Sequence, residues 1–215
     1  MNKPMQIGGN MRKPTLRNYT GLILLAVVLI MSGCATCKTT SAIGQRPSTW
    51  AAPMKDNCNV PNLNKITNNL YRSGEPTEIG ITSLCEQLRI KTIINLEEFH
   101  SDTPSAACPQ LHMERVPMNA GENNPEVIDK AVIKVMNILS NPKNGPFLIH
   151  CKYGSDRTGL MCAMYRIIYQ KWTRDKAIDE MVNGRYGFHT AWYGNIIEYI
   201  QKADIEKLQK QIHAK

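Results

Sequence analysis

One short segment, HCKYGSDRTG at residues 150–159, combines a cysteine with an arginine six positions later. A buried-strand pattern precedes it at residues 146–150, and an apolar helical pattern follows at residues 158–171. A loop between a strand and a helix amino terminus directs backbone N–H groups, aided by the helix dipole, towards one point. Gly154 permits the tight curl that turns those groups inward. The segment therefore predicts an anion-binding loop that contains a thiol.

The side chains of this loop suggest a reaction on a phosphoryl group. Amides and the helix dipole stabilise a thiolate at Cys151, which makes the sulfur nucleophilic near neutral pH. The planar guanidinium of Arg157 can hold two phosphoryl oxygens into the transition state. In-line attack would give a phosphocysteine, and the Thr158 hydroxyl can donate to the sulfur as it leaves. We expect His150 to support the loop and Cys151 from behind.

The rest of the loop is predicted to bind the substrate, with a positive charge on the pocket rim. These substrate-binding residues are Lys152, Tyr153, Gly154, Ser155 and Thr158. The five histidines are scattered without the paired spacing of a zinc site, and catalysis through a thiolate needs no ion. We therefore expect neither a metal nor another cofactor.

Strand and helix patterns alternate along the chain from residue 63 onward. Strands are predicted at 70–74, 91–96, 112–117 and 146–150, and helices at 76–88, 125–140, 158–171, 174–183 and 194–214. This alternation indicates an α/β fold, with a central, mostly parallel sheet of about four to five strands flanked by helices.

The pattern H-C-x5-R-T-G resembles the signature of the cysteine-dependent protein tyrosine and dual-specificity phosphatases. Further segments, at 70–74, 91–96, 116–118 and 147–151, look like the atypical dual-specificity group of bacteria, plants and fungi. The resemblance covers about residues 65–190. It implies a phosphatase fold and hydrolysis of phosphomonoesters (phosphotyrosine, phosphoserine, phosphothreonine or inositol phosphate) through a phosphocysteine at Cys151.

Two other classes of function remain as alternatives. The first is a weakly active or inactive pseudophosphatase that binds phosphate, which the intact Cys151, Arg157 and Thr158 disfavour. The second is a rhodanese-like or arsenate-reductase-like enzyme with a cysteine loop, which the DRTG sequence at 156–159 disfavours.

The group that protonates the leaving oxygen is less evident. The resemblance implies an aspartate on a loop before the signature, but the corresponding residues 119–126 contain none. Glu122 is the candidate within that loop, since Glu126 stands at a helix start and is explained as a partner of the helix dipole. Asp156, inside the signature, is preferred as the general acid because a carboxylate beside the cradle can protonate the leaving group and then activate water. It could instead only hold the loop through backbone N–H groups.

The amino terminus predicts export. Residues 1–33 contain four of the eight excess positive charges and an apolar run of ten residues, too short for a standard membrane span. The sequence MSGC at 31–34 resembles the lipobox of bacterial lipoproteins, which implies lipidation of Cys34. Ala35 stands where aspartate would signal inner-membrane retention, so we expect attachment to the periplasmic face of the outer membrane. An uncleaved signal anchor is the alternative.

Composition sets the remaining expectations. The domains are predicted as a signal peptide at 1–33, a flexible tether at 34–62 and a catalytic domain at 63–215. The chain has 42% hydrophobic residues and a net charge of +8, half of it in the signal peptide, so we expect a monomeric globular enzyme that does not bind nucleic acid. Export permits up to two disulfides, but helical apolar patterns favour Cys85 and Cys162 as buried thiols.

Overall fold

A computed structural model describes residues 46–56 and 58–212 of the chain. The predicted signal peptide, the lipidation site at Cys34 and the first part of the predicted tether lie outside these residues. None of the helices in the described ranges is long and apolar enough to cross a membrane.

A mixed sheet of six strands forms the centre, in the order β1-β2-β3-β6-β4-β5. The strands are β1 (Ala52–Pro53), β2 (Asn64–Thr67), β3 (Leu70–Ser73), β4 (Thr92–Asn95), β5 (His112–Arg115) and β6 (Phe147–His150). Strands β3, β6, β4 and β5 pair in parallel, while β1 and β2 add an antiparallel edge. The α/β class and the parallel centre are therefore confirmed, and the two edge strands were not predicted.

Six α-helices flank this sheet in the described residues. They are α1 (Glu78–Leu88), α2 (Pro125–Leu139), α3 (Asp156–Ile168), α4 (Arg174–Asn183), α5 (Gly194–Lys202) and α6 (Ile205–Ile212). Several helix boundaries differ from the sequence prediction. Helix α3 begins at Asp156, inside the signature, and the last predicted helix is divided into α5 and α6 around Ala203.

The parallel strands are buried on both faces because helices cover each side. Successive residues of β4 show this, since Ile93 belongs to one apolar cluster and Ile94 to the other. The same alternation occurs in β6 at Leu148 and Ile149. Helix α3 has buried residues on nearly every side, so its amino terminus is held firmly where the chemical groups of the signature lie.

Residues 46–56 and 58–62, the described part of the predicted tether, are folded rather than flexible. They belong to the compact unit that begins at Arg46. Ala51 and Val60 are 1% and 0% exposed, and the Ala51 amide donates to Glu180 at 2.6 Å. Polar and Pro-rich composition suggested a linker, but these residues form an edge strand and fill gaps between the sheet and the helices.

The prediction that Cys85 is a buried thiol was wrong, because Cys85 forms a disulfide with Cys108. The bond joins α1 to the long loop between β4 and β5, with 6.5 Å between the two Cα atoms. The free thiols in the described residues are Cys58, Cys151 and Cys162, all buried.

Candidate active site

The signature loop, defined here as residues 151–157, connects β6 to α3 and turns its backbone amides inward. The carbonyl oxygens of residues 152–154 all accept hydrogen bonds from outside the loop. Their donors, in that order, are the Glu75 amide at 3.2 Å, Asn62 Nδ2 at 3.0 Å and Arg72 Nη2 at 2.6 Å. Because the carbonyl and N–H groups of a trans peptide point in opposite directions, the amides of residues 153–155 face the centre of the loop. Together with the start of α3 they form an anion cradle.

Gly154 is required at the tightest point of this loop. Its φ of +69° lies in the left-handed region, and a Cβ there would come within 2.4 Å of the Ser73 carbonyl group. The loop therefore packs directly on the end of β3, and a side chain at this position would move the cradle.

Cys151 directly follows β6 and is 2% exposed. Thr158 lies in the first turn of α3, and its Oγ1 is buried without a hydrogen-bond partner among the described residues. A buried hydroxyl without a hydrogen-bond partner destabilises the fold, so its presence calls for a functional reason. The predicted role of Thr158 as a donor to the sulfur supplies one. For the other two free thiols of the described residues, burial raises the pKa of Cys162 to about 11 and also raises the pKa of Cys58.

Arg157 extends from the first turn of α3 into a cleft of about 390 Å³. Its Nη1 lies 3.4 Å from the Leu96 carbonyl oxygen and 3.5 Å from that of Met118, so the guanidinium is only loosely held by the protein. Other residues that line this cleft are Glu97, Glu98, Asn119, Lys152 and Tyr193. The fork of Arg157 is thus available for an anion in the cradle.

His150 has a different partner from the one predicted. Its Nε2 pairs with Asp102 Oδ2 at 2.9 Å, and the two side chains are 0% and 3% exposed. The imidazole Nδ1 has no hydrogen-bond partner among the described residues, so the ring does not bond to Cys151. Asp102 therefore fixes the ring beneath the loop. No local sequence pattern indicates this pair, because Asp102 lies in an irregular loop 48 residues away.

Asp156 is bound to the turn after α4. The His189 amide donates to its Oδ1 at 2.9 Å, and His189 Nδ1 lies 2.9 Å from its Oδ2. The side chain is 8% exposed and is not among the residues that line the Arg157 cleft. This geometry matches the alternative that Asp156 holds the loop through backbone N–H bonds.

Glu122 is also occupied by its own loop. Its Oε1 accepts from the amides of Asn123 at 2.9 Å and Asn124 at 2.7 Å, just before α2 begins. It lines the neighbouring cavities beside α2 and not the cleft of Arg157. The two carboxylates proposed from the sequence are thus both engaged in holding loops.

Aromatic side chains cluster beside the signature loop, at Tyr153 and at residues 189–192. The ring of His189 lies between those of Tyr153, with centroids 6.1 Å apart, and Trp192, with centroids 5.7 Å apart and nearly parallel planes. Tyr153 is 64% and Trp192 is 74% exposed. Lys152, predicted as the basic residue of the rim, lies 3.7 Å from Glu75, which reduces its net charge contribution.

Within the described residues, no group of three or more histidine, cysteine, aspartate or glutamate side chains is arranged to hold a metal ion. The chemistry of the site is that of a buried thiol, an arginine and an amide cradle at the carboxyl edge of a parallel sheet. Such a site, on such a fold, defines a cysteine-dependent phosphatase.

Comparison with known proteins gives the same result. Residues 58–214 match the family model described as the tyrosine phosphatase family, and the chain belongs to that family. Over 191 residues the chain is 31% identical to the dual specificity protein phosphatase TpbA of Pseudomonas aeruginosa, covering 87% of this chain and 82% of TpbA. The structure of TpbA in complex with pTyr is 28% identical, has a TM-score of 0.65 and matches over 78% of this chain and 98% of its own.

A second group of relatives is named for another substrate. The inositol diphosphatase SIW14 of Saccharomyces cerevisiae is 29% identical, over 55% of this chain and 43% of that protein. Its catalytic core, at 24% identity and a TM-score of 0.60, covers 73% of this chain and 93% of its own, and shares the fold. The protein is therefore a cysteine-dependent phosphatase with relatives that act on two kinds of phosphate.

Proposed function

We propose that the protein hydrolyses phosphomonoesters of the phosphotyrosine type, in which the phosphoryl group is carried by an aromatic ring. The observation that supports this most is the exposed aromatic set beside the cradle, Tyr153, His189 and Trp192. Aromatic rings that bind a ring prefer offset or edge contacts and contribute beyond the area they bury. A related protein has been determined with pTyr bound.

Charge around the cleft supports the same choice over an inositol polyphosphate. A ligand with many phosphates is stabilised by a cluster of cations, but the carboxylate of Glu98 lines the cleft beside Arg157 and Lys152. Glu75 lies next to Lys152 as well. Arg157 and Lys152 thus provide positive charge for one phosphoryl group, and the carboxylates of Glu98 and Glu75 repel any further phosphoryl group.

The test compares kcat/KM of the full chain on a phosphotyrosine peptide, a phosphoserine peptide and an inositol polyphosphate. We expect the phosphotyrosine peptide to be preferred. Tyr153→Ser should lower its kcat/KM about 3- to 10-fold through the lost aromatic contact, with little effect on the phosphoserine peptide. The control Lys152→Met removes charge and leaves the rings intact. A preference for the inositol polyphosphate, strongly reduced in Lys152→Met, would overturn the proposal.

We also propose that the enzyme works outside the cytoplasm, as a lipoprotein attached through Cys34 to the periplasmic face of the outer membrane. The lipobox-like sequence supports this, and so does the disulfide between Cys85 and Cys108, since such bonds persist in oxidising compartments. We further propose a monomer, because residues of one chain supply the whole cleft. Metabolic labelling with a radioactive fatty acid should label the wild-type protein and not Cys34→Ser, while equal labelling of both would exclude lipidation at this cysteine.

A further inference from the structure

The departing oxygen of a phosphomonoester must be protonated, and the attacking water must later lose a proton. Both carboxylates suggested by the sequence are engaged elsewhere, Asp156 with His189 and Glu122 with the amides before α2. Neither lines the cleft that contains Arg157. We therefore look to the other ionisable side chains of the cleft, which are Glu97, Glu98, His100 (3.0 Å from Glu75), Lys152 and Tyr193.

Glu97 is one of these groups, and it lies next to the strand that leads into the signature loop. It follows β4, the strand that pairs with β6, and the preceding Leu96 amide donates to the His150 carbonyl at 2.9 Å. Leu96 also presents its carbonyl oxygen to Arg157. Glu97 is therefore one residue beyond the point where the chain runs beside the start of the signature loop.

The backbone of Glu97 is held while its side chain is free to act. Its amide donates to Asn95 Oδ1 at 2.7 Å, and its carbonyl oxygen accepts from Arg115 Nη2 at 3.1 Å. The residue is 5% exposed, lines the Arg157 cleft, and its Oε1 has no hydrogen-bond partner among the described residues. A buried carboxyl oxygen without a partner is costly for stability alone, whereas a proton carrier must keep an oxygen available.

We propose that Glu97 is the general acid and base of the reaction. In the first step the Cys151 sulfur forms a bond to phosphorus, the bond from phosphorus to the leaving oxygen breaks, and the Glu97 carboxyl gives its proton to that oxygen. In the second step the Glu97 carboxylate takes a proton from water while the water oxygen bonds to phosphorus. The sulfur–phosphorus bond then breaks, which releases phosphate and restores both the thiolate and the protonated carboxyl.

This role holds for any phosphomonoester, and so it goes beyond the proposed substrate class. It is tested by kcat/KM on aryl phosphates whose leaving groups differ in basicity. Poor leaving groups need the proton and good ones do not. Glu97→Gln should therefore lose about 100-fold or more on the most basic leaving group, and much less on the least basic.

The matched control is Glu98→Gln, a neighbour that lines the same cleft. It should keep the wild-type dependence on leaving-group basicity, as should Asp156→Asn and Glu122→Gln even where they are slower. Should Glu97→Gln fold poorly, as judged by thermal unfolding, Glu97→Asp retains a carboxyl on a shorter side chain and should show an intermediate dependence.

The role of Glu97 would be overturned if folded Glu97→Gln and Glu97→Asp kept the wild-type dependence of kcat/KM on leaving-group basicity. A steeper dependence in Glu98→Gln, Asp156→Asn or Glu122→Gln would overturn it as well. Failure of the substrate proposal would look different. Wild-type enzyme would then prefer the inositol polyphosphate while still hydrolysing aryl phosphates.

Discussion

Replacing Glu180 with glutamine should destabilise the fold more than any surface change on the same helix. Glu180 is 4% exposed and binds Arg166 through two bonds, Nε to Oε2 at 2.7 Å and Nη2 to Oε1 at 2.8 Å. It also accepts from the Ala51 amide at 2.6 Å and the Tyr186 hydroxyl at 3.2 Å. Glutamine has nearly the same shape, so the main loss is the charge that compensates buried Arg166. Removing one partner of a buried pair costs about 3–5 kcal/mol.

For a domain of this size, that loss corresponds to a fall in Tm of roughly 10 °C. The measurement is thermal unfolding by circular dichroism, with Asp179→Asn, an exposed neighbour on α4, as the control that should change little. The double variant Arg166→Met, Glu180→Leu removes both charges and should recover much of the loss. If Glu180→Gln unfolded within 1–2 °C of the wild type (about 0.5 kcal/mol), the reasoning that this pair holds the amino-terminal segment to the helices would be wrong.

Four further predictions concern the disulfide, the buried thiol and two residues of the site. Substituting both Cys85 and Cys108 with alanine should cost about 3 kcal/mol in urea unfolding, because the bond closes a loop with a sequence separation of 23. The free energy of unfolding should fall as pH rises from about 9 to 11, because the Cys162 thiol ionises near 9.0 in the unfolded chain but stays protonated to about 11 in the folded one. Measured as the urea midpoint, this fall should be shallower in Cys162→Ala. Arg157→Lys should lower kcat/KM for aryl phosphates about 100-fold, since lysine lacks the two-point contact. Values of kcat and KM equal to those of the wild type would contradict that role. Thr158→Ala should slow dephosphorylation of the intermediate more than its formation, as pre-steady-state bursts would show.

The parallel centre of the fold was predictable because its strands have an unusual composition. Strands β4 and β6 contain adjacent apolar residues and are buried at every position, which is typical of strands covered on both faces. Strands β1 and β2 were missed because they lie at the edge, have mixed polarity and contain only two and four residues. The break between α5 and α6 was missed because apolar spacing continues through it.

The site was predictable where its groups are adjacent in the chain and unpredictable where folding brings them together. Cys151, Arg157 and Thr158 belong to one continuous segment, so their spacing already specified the cradle. Asp102 and Glu97 lie in loops after β4, and only the order of strands in the sheet places them beside β6. A local pattern carries no information on which strand is the neighbour.

We expect phosphoryl transfer in this enzyme to pass through a covalent bond to Cys151. Rapid quenching of the full chain with an aryl phosphate labelled in its phosphoryl group, followed by proteolysis and mass spectrometry, tests this directly. We predict transient label on the peptide that contains Cys151, formed at least as fast as steady-state turnover, and neither label nor turnover in Cys151→Ser. Turnover that persists in Cys151→Ser, or label that accumulates on any other residue, would contradict the account.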